Sequence, residues 1–176
     1  ARVVTRVAAA RAAVPRVVAV SNHSHVRVSP IDGASVKVVV YDLFDEALGR
    51  CRVAHEQYAE IYRADLGASE EELNQTRQRL RYSTDLAEAV ALADLVIEAV
   101  PEIPEVKTEV YRRLAPLLQP KCLIATNSST LLPSQFAEDT GRPAQYCALH
   151  FANLIWSMNI AEVMAHAGTA EATLRA

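Results

Sequence analysis

Val36-Lys37-Val38-Val39-Val40-Tyr41-Asp42 is the stretch whose reading decides the fold. Val36–Tyr41 is β-branched and almost wholly apolar, as a strand buried on both faces should be. Asp42 ends it. Strands of this kind belong to parallel sheets whose two faces are covered by helices. The expectation is therefore that helical segments alternate with further short apolar runs on either side of it.

The chain meets that expectation in both directions. Upstream, Arg16–Val20 is a candidate first strand. Downstream, residues 44–63 predict a helix with Leu48, Val53 and Tyr58 among its apolar members, closed by Gly67. Ser69–Arg79 predicts a charged, exposed helix, and Leu80–Tyr82 a short strand. Ser83, Thr84 and Asp85 offer helix N-caps, and Glu88 stands three residues after Asp85, as a capping box requires. A short Ala-rich helix follows, then a strand over Leu95–Val100. Pro104 suits the first position of the next helix, whose apolar repeat is Val106, Val110, Leu114, Leu117 and Leu118 and which Pro120 stops. Cys122–Thr126 reads as a strand, and Pro133 and Gly141 bracket a short helix. Tyr146–Phe151 and Ile160–Met164 read as two more strands, and Glu171–Arg175 as the start of a helix. The alternation predicts an α/β, Rossmann-like, doubly wound and mainly parallel sheet, with ligands at the carboxyl ends of the strands. Asp42, Glu102, Asn127–Ser129 and His150 all follow or end strands.

With 176 residues the chain is long enough for one domain with a real core. A formal charge of −3 gives no electrostatic case for nucleic acid or an anionic membrane as partner. No apolar run approaches the ~20 residues of a membrane helix. Cys51, Cys122 and Cys147 are odd in number and lack zinc or disulfide spacing, so a reducing, cytoplasmic setting is the default. Residues 1–31 hold five arginines and no acid, a composition similar to an organellar transit peptide, although Pro15 and the Val pairs interrupt an amphipathic helix. The break falls near Gly33, and the chain divides into an atypical segment, 1–32, and a dinucleotide-binding domain, 33–176. A shifted reading frame over residues 1–32 would leave such a break.

Several residues could carry chemistry. Asp42 sits where an acid binds the adenosine ribose in dinucleotide-binding folds, but it could equally be a helix N-cap. The loop after Arg16–Val20 contains no glycine, although backbone approach to a pyrophosphate asks for several. His23 and His25 lie in that loop; without a further ligand at suitable spacing they read as solvated, and no metal site is expected. Glu102 and Lys107 flank a helix start and read first as a surface ion pair. Asn127, Ser128, Ser129 and Thr130 could orient a substrate oxygen or simply cap a turn. His150 and Glu162 each lie in apolar strand-like runs. A carboxylate buried there needs a partner, and adjacent strands would supply His150. A histidine bonded to a carboxylate is fixed in one tautomer and suits a general base.

Four segments, Asp94–Glu102, Ala125–Leu131, Leu149–Asn153 and Ala161–Met164, stand in the order and spacing of the 3-hydroxyacyl-CoA dehydrogenase family, which the chain resembles over roughly residues 34–168. The flanking Trp156 resembles the short-chain, 3-hydroxybutyryl-CoA branch. The resemblance implies NAD as cofactor and an acyl-CoA substrate. It makes His150 the base, Glu162 its orienting acid, Ser129 and Asn153 substrate-side residues, and Asp42, Glu102, Lys107 and Asn127 cofactor-side residues. It also implies a homodimer through a helical domain expected to be absent from this chain. Three features depart from the family: the glycine-free loop, Leu154 where proline usually follows the His-Phe-x-Asn run, and the missing helical domain. They keep a second reading open, a catalytically silent remnant with weak or no cofactor binding. A hydroxy-acid dehydrogenase of the same superfamily, acting on a sugar acid, is a third.

Overall fold

A computed structural model of the chain describes residues 16–21, 36–151 and 160–176. His23, His25, Gly33, Asn153, Leu154 and Trp156, on which parts of the sequence reading fall, lie outside the described residues.

Seven strands form one sheet in the order β3-β2-β1-β4-β5-β6-β7. They are β1 (Arg16–Ser21), β2 (Lys37–Tyr41), β3 (Leu80–Ser83), β4 (Leu95–Ala99), β5 (Leu123–Thr126), β6 (Tyr146–Phe151) and β7 (Ala161–Met164). All neighbours pair in parallel except β6 and β7, which are antiparallel. The doubly wound, Rossmann-like α/β fold read from the alternation is the one observed. β1 lies between β2 and β4, so the strand order reverses at its edge, and the crevice at its carboxyl end is the switch point where such folds bind ligands. Val18, Ala19 and Val20 of this strand are at most 2 % exposed, as its central place demands.

The helices are α1 (Asp45–Leu66), α2 (Glu70–Arg79), α3 (Leu86–Val90), α4 (Pro104–Leu114) and α5 (Glu171–Arg175). Gly67 ends α1 at φ 66°, a left-handed backbone that glycine adopts without strain. Asp85 caps α3 by accepting from the Glu88 amide at 3.0 Å, as read. The return bond of a capping box is absent: the Asp85 amide donates to Ser83 Oγ, and the Glu88 carboxylate accepts from the Ser83 hydroxyl. α2 carries a complete box between Ser69 and Glu72, which the sequence reading did not single out.

Three expectations are corrected. Val53 is 61 % exposed, because the buried face of α1 is Ala47, Leu48, Cys51, Ala59 and Tyr62. α4 ends at Leu114 rather than running to Pro120, and Val106 and Leu117 are partly exposed. Its buried face is Lys107, Tyr111 and Leu114, spaced i, i+4 and i+7, with a lysine where an apolar side chain was expected. Between Pro133 and Gly141 two separate 3-10 turns, Pro133–Gln135 and Glu138–Thr140, replace the single helix. Arg142 then holds the connection between α4 and β5 by donating to the carbonyls of Leu118, Gln119 and Cys122.

The main core lies between the central strands, α3 and α4, and includes Val18, Val90, Val96, Tyr111, Ile124 and Tyr146. A second cluster, Val38, Val40, Leu48 and Cys51, packs α1 onto the other face. Among the described residues no helix is long and apolar enough to cross a membrane, and no group of three ligating side chains could hold a metal ion.

Candidate active site

The register of β6 and β7 sets His150 directly opposite Glu162. Directly paired residues on antiparallel strands share a face, so the backbone alone brings these side chains together. His150 Nδ1 is 3.0 Å from Glu162 Oε2. β5 pairs in parallel with β6, with Thr126 opposite Ala148. The loop leaving β5 therefore emerges beside His150, and Ser129 Oγ lies 3.0 Å from His150 Nε2. A carboxylate only accepts, so Nδ1 carries the proton and donates to Glu162; in the neutral ring Nε2 is then the acceptor of the Ser129 hydroxyl. The result is a Ser129–His150–Glu162 relay at the carboxyl ends of the parallel strands. Burial was wrongly expected for Glu162, whose side chain is 59 % exposed against 26 % for His150.

The buried carboxylate is Glu98, near the carboxyl end of β4 and 0 % exposed. Its Oε1 accepts from Lys107 Nζ at 2.8 Å and from the Val100 amide at 2.7 Å. Its Oε2 accepts from the hydroxyls of Tyr111 at 2.6 Å and Thr126 at 2.8 Å. Tyr111 Oη lies 3.0 Å from Tyr146 Oη. Burial first, and then the Glu98 charge, push the Tyr111 hydroxyl far above its ordinary value, so it stays a neutral donor. Glu98, Tyr111 and Tyr146 were not picked out from the sequence. The signal was present: an acid inside the apolar run Leu95–Val100 needs a partner.

Lys107 corrects the surface-pair reading. Its side chain is 1 % exposed and sits between Glu98 and Glu102, with Glu102 Oε2 at 3.2 Å. Glu102 Oε1 accepts from Ser128 Oγ, Thr130 N, Thr130 Oγ1 and Leu131 N. Partial burial pushes the Glu102 carboxyl up, but the Ser128 hydrogen bond, the Thr130 amide, the Lys107 charge and the Thr130 hydroxyl outweigh it and hold it at about 2. A folded value below the unfolded one contributes stability that is complete above about 4.5 and is lost as pH falls toward about 2. Screening reduces it, since the side chain is 36 % exposed. The expected result is a smaller loss of melting temperature across that window in Glu102→Gln than in the parent chain; equal losses would show that this carboxylate contributes none of it.

Asn127 Oδ1 accepts from the Phe151 amide at 3.0 Å, tying the loop to the end of β6 beside His150. Asp42 is 6 % exposed, and its Oδ1 accepts from the Phe44 amide at 2.9 Å. Phe44, not Asp42, is the N-cap of α1. Asp42 thus lies apart from the relay, at the end of β2. Residues on either side of it, Tyr41 and Leu43, line an open groove of about 530 Å³ together with Asp85 and Arg113.

A doubly wound sheet with an acid after β2, and with Ser129, His150 and Glu162 hydrogen-bonded to one another across the ends of β5, β6 and β7, has the architecture of a dinucleotide-binding α/β domain. Residues 23–176 match the family described as "3-hydroxyacyl-CoA dehydrogenase, NAD binding domain", and the chain belongs to that family. The match begins before Gly33, upstream of the composition break. The chain is 33 % identical over 97 residues to a probable 3-hydroxybutyryl-CoA dehydrogenase of Deinococcus radiodurans, covering 55 % of this chain and 34 % of that protein. It is 33 % identical over 122 residues to the mitochondrial hydroxyacyl-coenzyme A dehydrogenase of Homo sapiens, covering 69 % and 38 %. The structure of 3-hydroxybutyryl-CoA dehydrogenase from Escherichia coli superposes with a TM-score of 0.78 at 27 % identity, covering 92 % of this chain and 34 % of that one. The chain thus spans about a third of the length of these proteins.

Proposed function

We propose that this domain carries the proton-transfer half of an NAD-dependent 3-hydroxyacyl-CoA dehydrogenase, with His150 as the base and Glu162 as its partner. The observation that carries the reading is the relay itself, Ser129 Oγ to His150 Nε2 and His150 Nδ1 to Glu162, each at 3.0 Å. The substrate's 3-hydroxyl takes the place of the Ser129 hydroxyl at His150 Nε2, which accepts its proton, and the Glu162 carboxylate stabilises the charged imidazole that results. Ser129 orients the substrate oxygen, the family resemblance puts Asn153 on the substrate side, and in the reverse direction protonated His150 donates to the carbonyl of a 3-ketoacyl-CoA. NAD supplies the hydride acceptor when bound. On the ribose side the residues fit it: Asp42 ends β2 beside the switch point and keeps a carboxylate at the sheet's carboxyl edge. Glu102, Lys107 and Asn127 complete the cofactor side of the reading. Lys107 acts there through its charge on Glu102, being itself buried.

The same reading gives the whole enzyme an acyl-CoA substrate and a homodimer built on a following helical domain. The partly exposed Phe151, Ile160, Val163 and Met164 along β6 and β7 are what such a domain would cover. Cys51, Cys122 and Cys147 are all free, in keeping with the reducing cytoplasm.

A second reading, a fold that binds cofactor poorly, is favoured by the absence of glycine between Arg16 and Ile31. Substrate comparison tests the first. NAD reduction with 3-hydroxybutyryl-CoA, and none with free hydroxy acids, is the expected result. Turnover of free hydroxy acids alone would move the protein to another branch of dehydrogenases, and turnover of neither would favour the second reading.

A further inference from the structure

The resemblance sets Glu102 beside the cofactor, yet its carboxylate spends its bonds on the protein. Oε1 alone faces four donors, Ser128 Oγ, Thr130 N at 3.2 Å, Thr130 Oγ1 at 3.0 Å and Leu131 N at 3.3 Å. Ser128 Oγ in turn accepts from the Leu131 amide at 3.0 Å, closing the turn on itself. The residues gripped are 128, 130 and 131. The one between them, Ser129, is left to meet His150. Behind Glu102 stands Lys107, fixed on Glu98, which is itself bonded to α4 through Tyr111 and to β5 through Thr126. A continuous polar chain therefore runs from the middle of the sheet to the catalytic loop.

We infer that Glu102, anchored by Lys107 and Glu98, is a positioning residue that clamps the Ser128–Leu131 turn so that the Ser129 hydroxyl rests on His150 Nε2. The inference rests on the reading of His150 as the base. The physical need is preorganisation: a serine on a free loop samples rotamers and loop positions that miss the imidazole, and reacting groups tolerate only about 0.5 Å of displacement. The clamp needs a carboxylate rather than an amide. An amide oxygen in the place of Oε1 would keep those donors, but its NH2 would then face the Lys107 ammonium, donor against donor. Glutamine should restore the clamp only in part.

The test reads the histidine directly, in the full chain labelled with 15N-histidine, alongside amide exchange at Leu131. In the parent chain the Nε2 resonance of His150 should differ from that of Ser129→Ala, because Nε2 has lost its donor there. In Glu102→Ala the Leu131 amide should exchange at least ~10-fold faster, and the Nε2 resonance should move onto that of Ser129→Ala. Glu102→Gln should fall between, and serves alone if Glu102→Ala does not fold. Faster exchange at Leu131 with His150 Nε2 unchanged from the parent would overturn the proposal, since the serine would then hold its place without the clamp. So would an Nε2 resonance already identical in the parent chain and Ser129→Ala. Neither readout involves cofactor or turnover, so a chain that fails to bind NADH would sink the dehydrogenase reading and leave this result standing on its own.

Discussion

His150→Ala is expected to lower turnover of 3-hydroxybutyryl-CoA by at least ~100-fold if His150 is the proposed base, the usual scale for losing a general base. On the proposed reading the substitution removes the atom that would receive the hydroxyl proton, and neither neighbour replaces it: Ser129 donates to Nε2, and Glu162 lies on the far side of the ring at Nδ1. The effect should appear in kcat with little change in NADH affinity, because the ribose-side Asp42 is remote from β6 in the strand order and His150 makes its bonds to Ser129 and Glu162 rather than to the residues read as cofactor-side. Stability should hardly move, since His150 is partly exposed and makes its bonds at the edge of the sheet. Glu162→Gln is expected to cost less than His150→Ala. The amide can still accept from Nδ1, but it no longer carries the charge that stabilises the imidazolium. Near-normal turnover in His150→Ala would overturn the role assigned to it.

Lys107→Ala destabilises the fold by about 3–5 kcal/mol, the scale for stranding one partner of a buried ion pair. Glu98 is 0 % exposed, and without Lys107 it would keep only the hydroxyls of Tyr111 and Thr126 and the Val100 amide. Urea unfolding measures the effect. Lys121→Ala is the comparison: its pair with Asp94 is a surface one, 66 % exposed at the lysine, and should contribute less than about 1 kcal/mol. The double variant Glu98→Gln with Lys107→Met should be more stable than Lys107→Ala, because it removes both charges together. A Lys107→Ala chain as stable as the parent would show that Glu98 takes up a proton or a new partner without cost.

The alternation of apolar runs and helical stretches was enough to read the α/β class and every strand, since each strand announces itself by local composition. It could not order them. That β1 lies between β2 and β4 depends on its pairing with β4, which is distant in sequence. His150 and Glu162 were legible as a pair because they sit on two strands with only a short connection between them. The rule that led to Glu162, that a carboxylate in an apolar strand needs a partner, applied with more force to Glu98. Lys107 was illegible for a physical reason: a lysine near a helix start is normally solvated. Only the meeting of α4 with β4, nine residues back in the chain, makes burial tolerable. Glu102 looked like half of a surface pair because its four donors lie in a loop more than twenty residues away.

An NADH titration followed by nicotinamide fluorescence tests most directly whether this chain binds the dinucleotide that the proposed function requires. Saturable binding in the micromolar range, weakened by Asp42→Ala and unaffected by His150→Ala, is the predicted result. No binding at millimolar NADH would contradict it and leave a fold whose relay has no hydride acceptor.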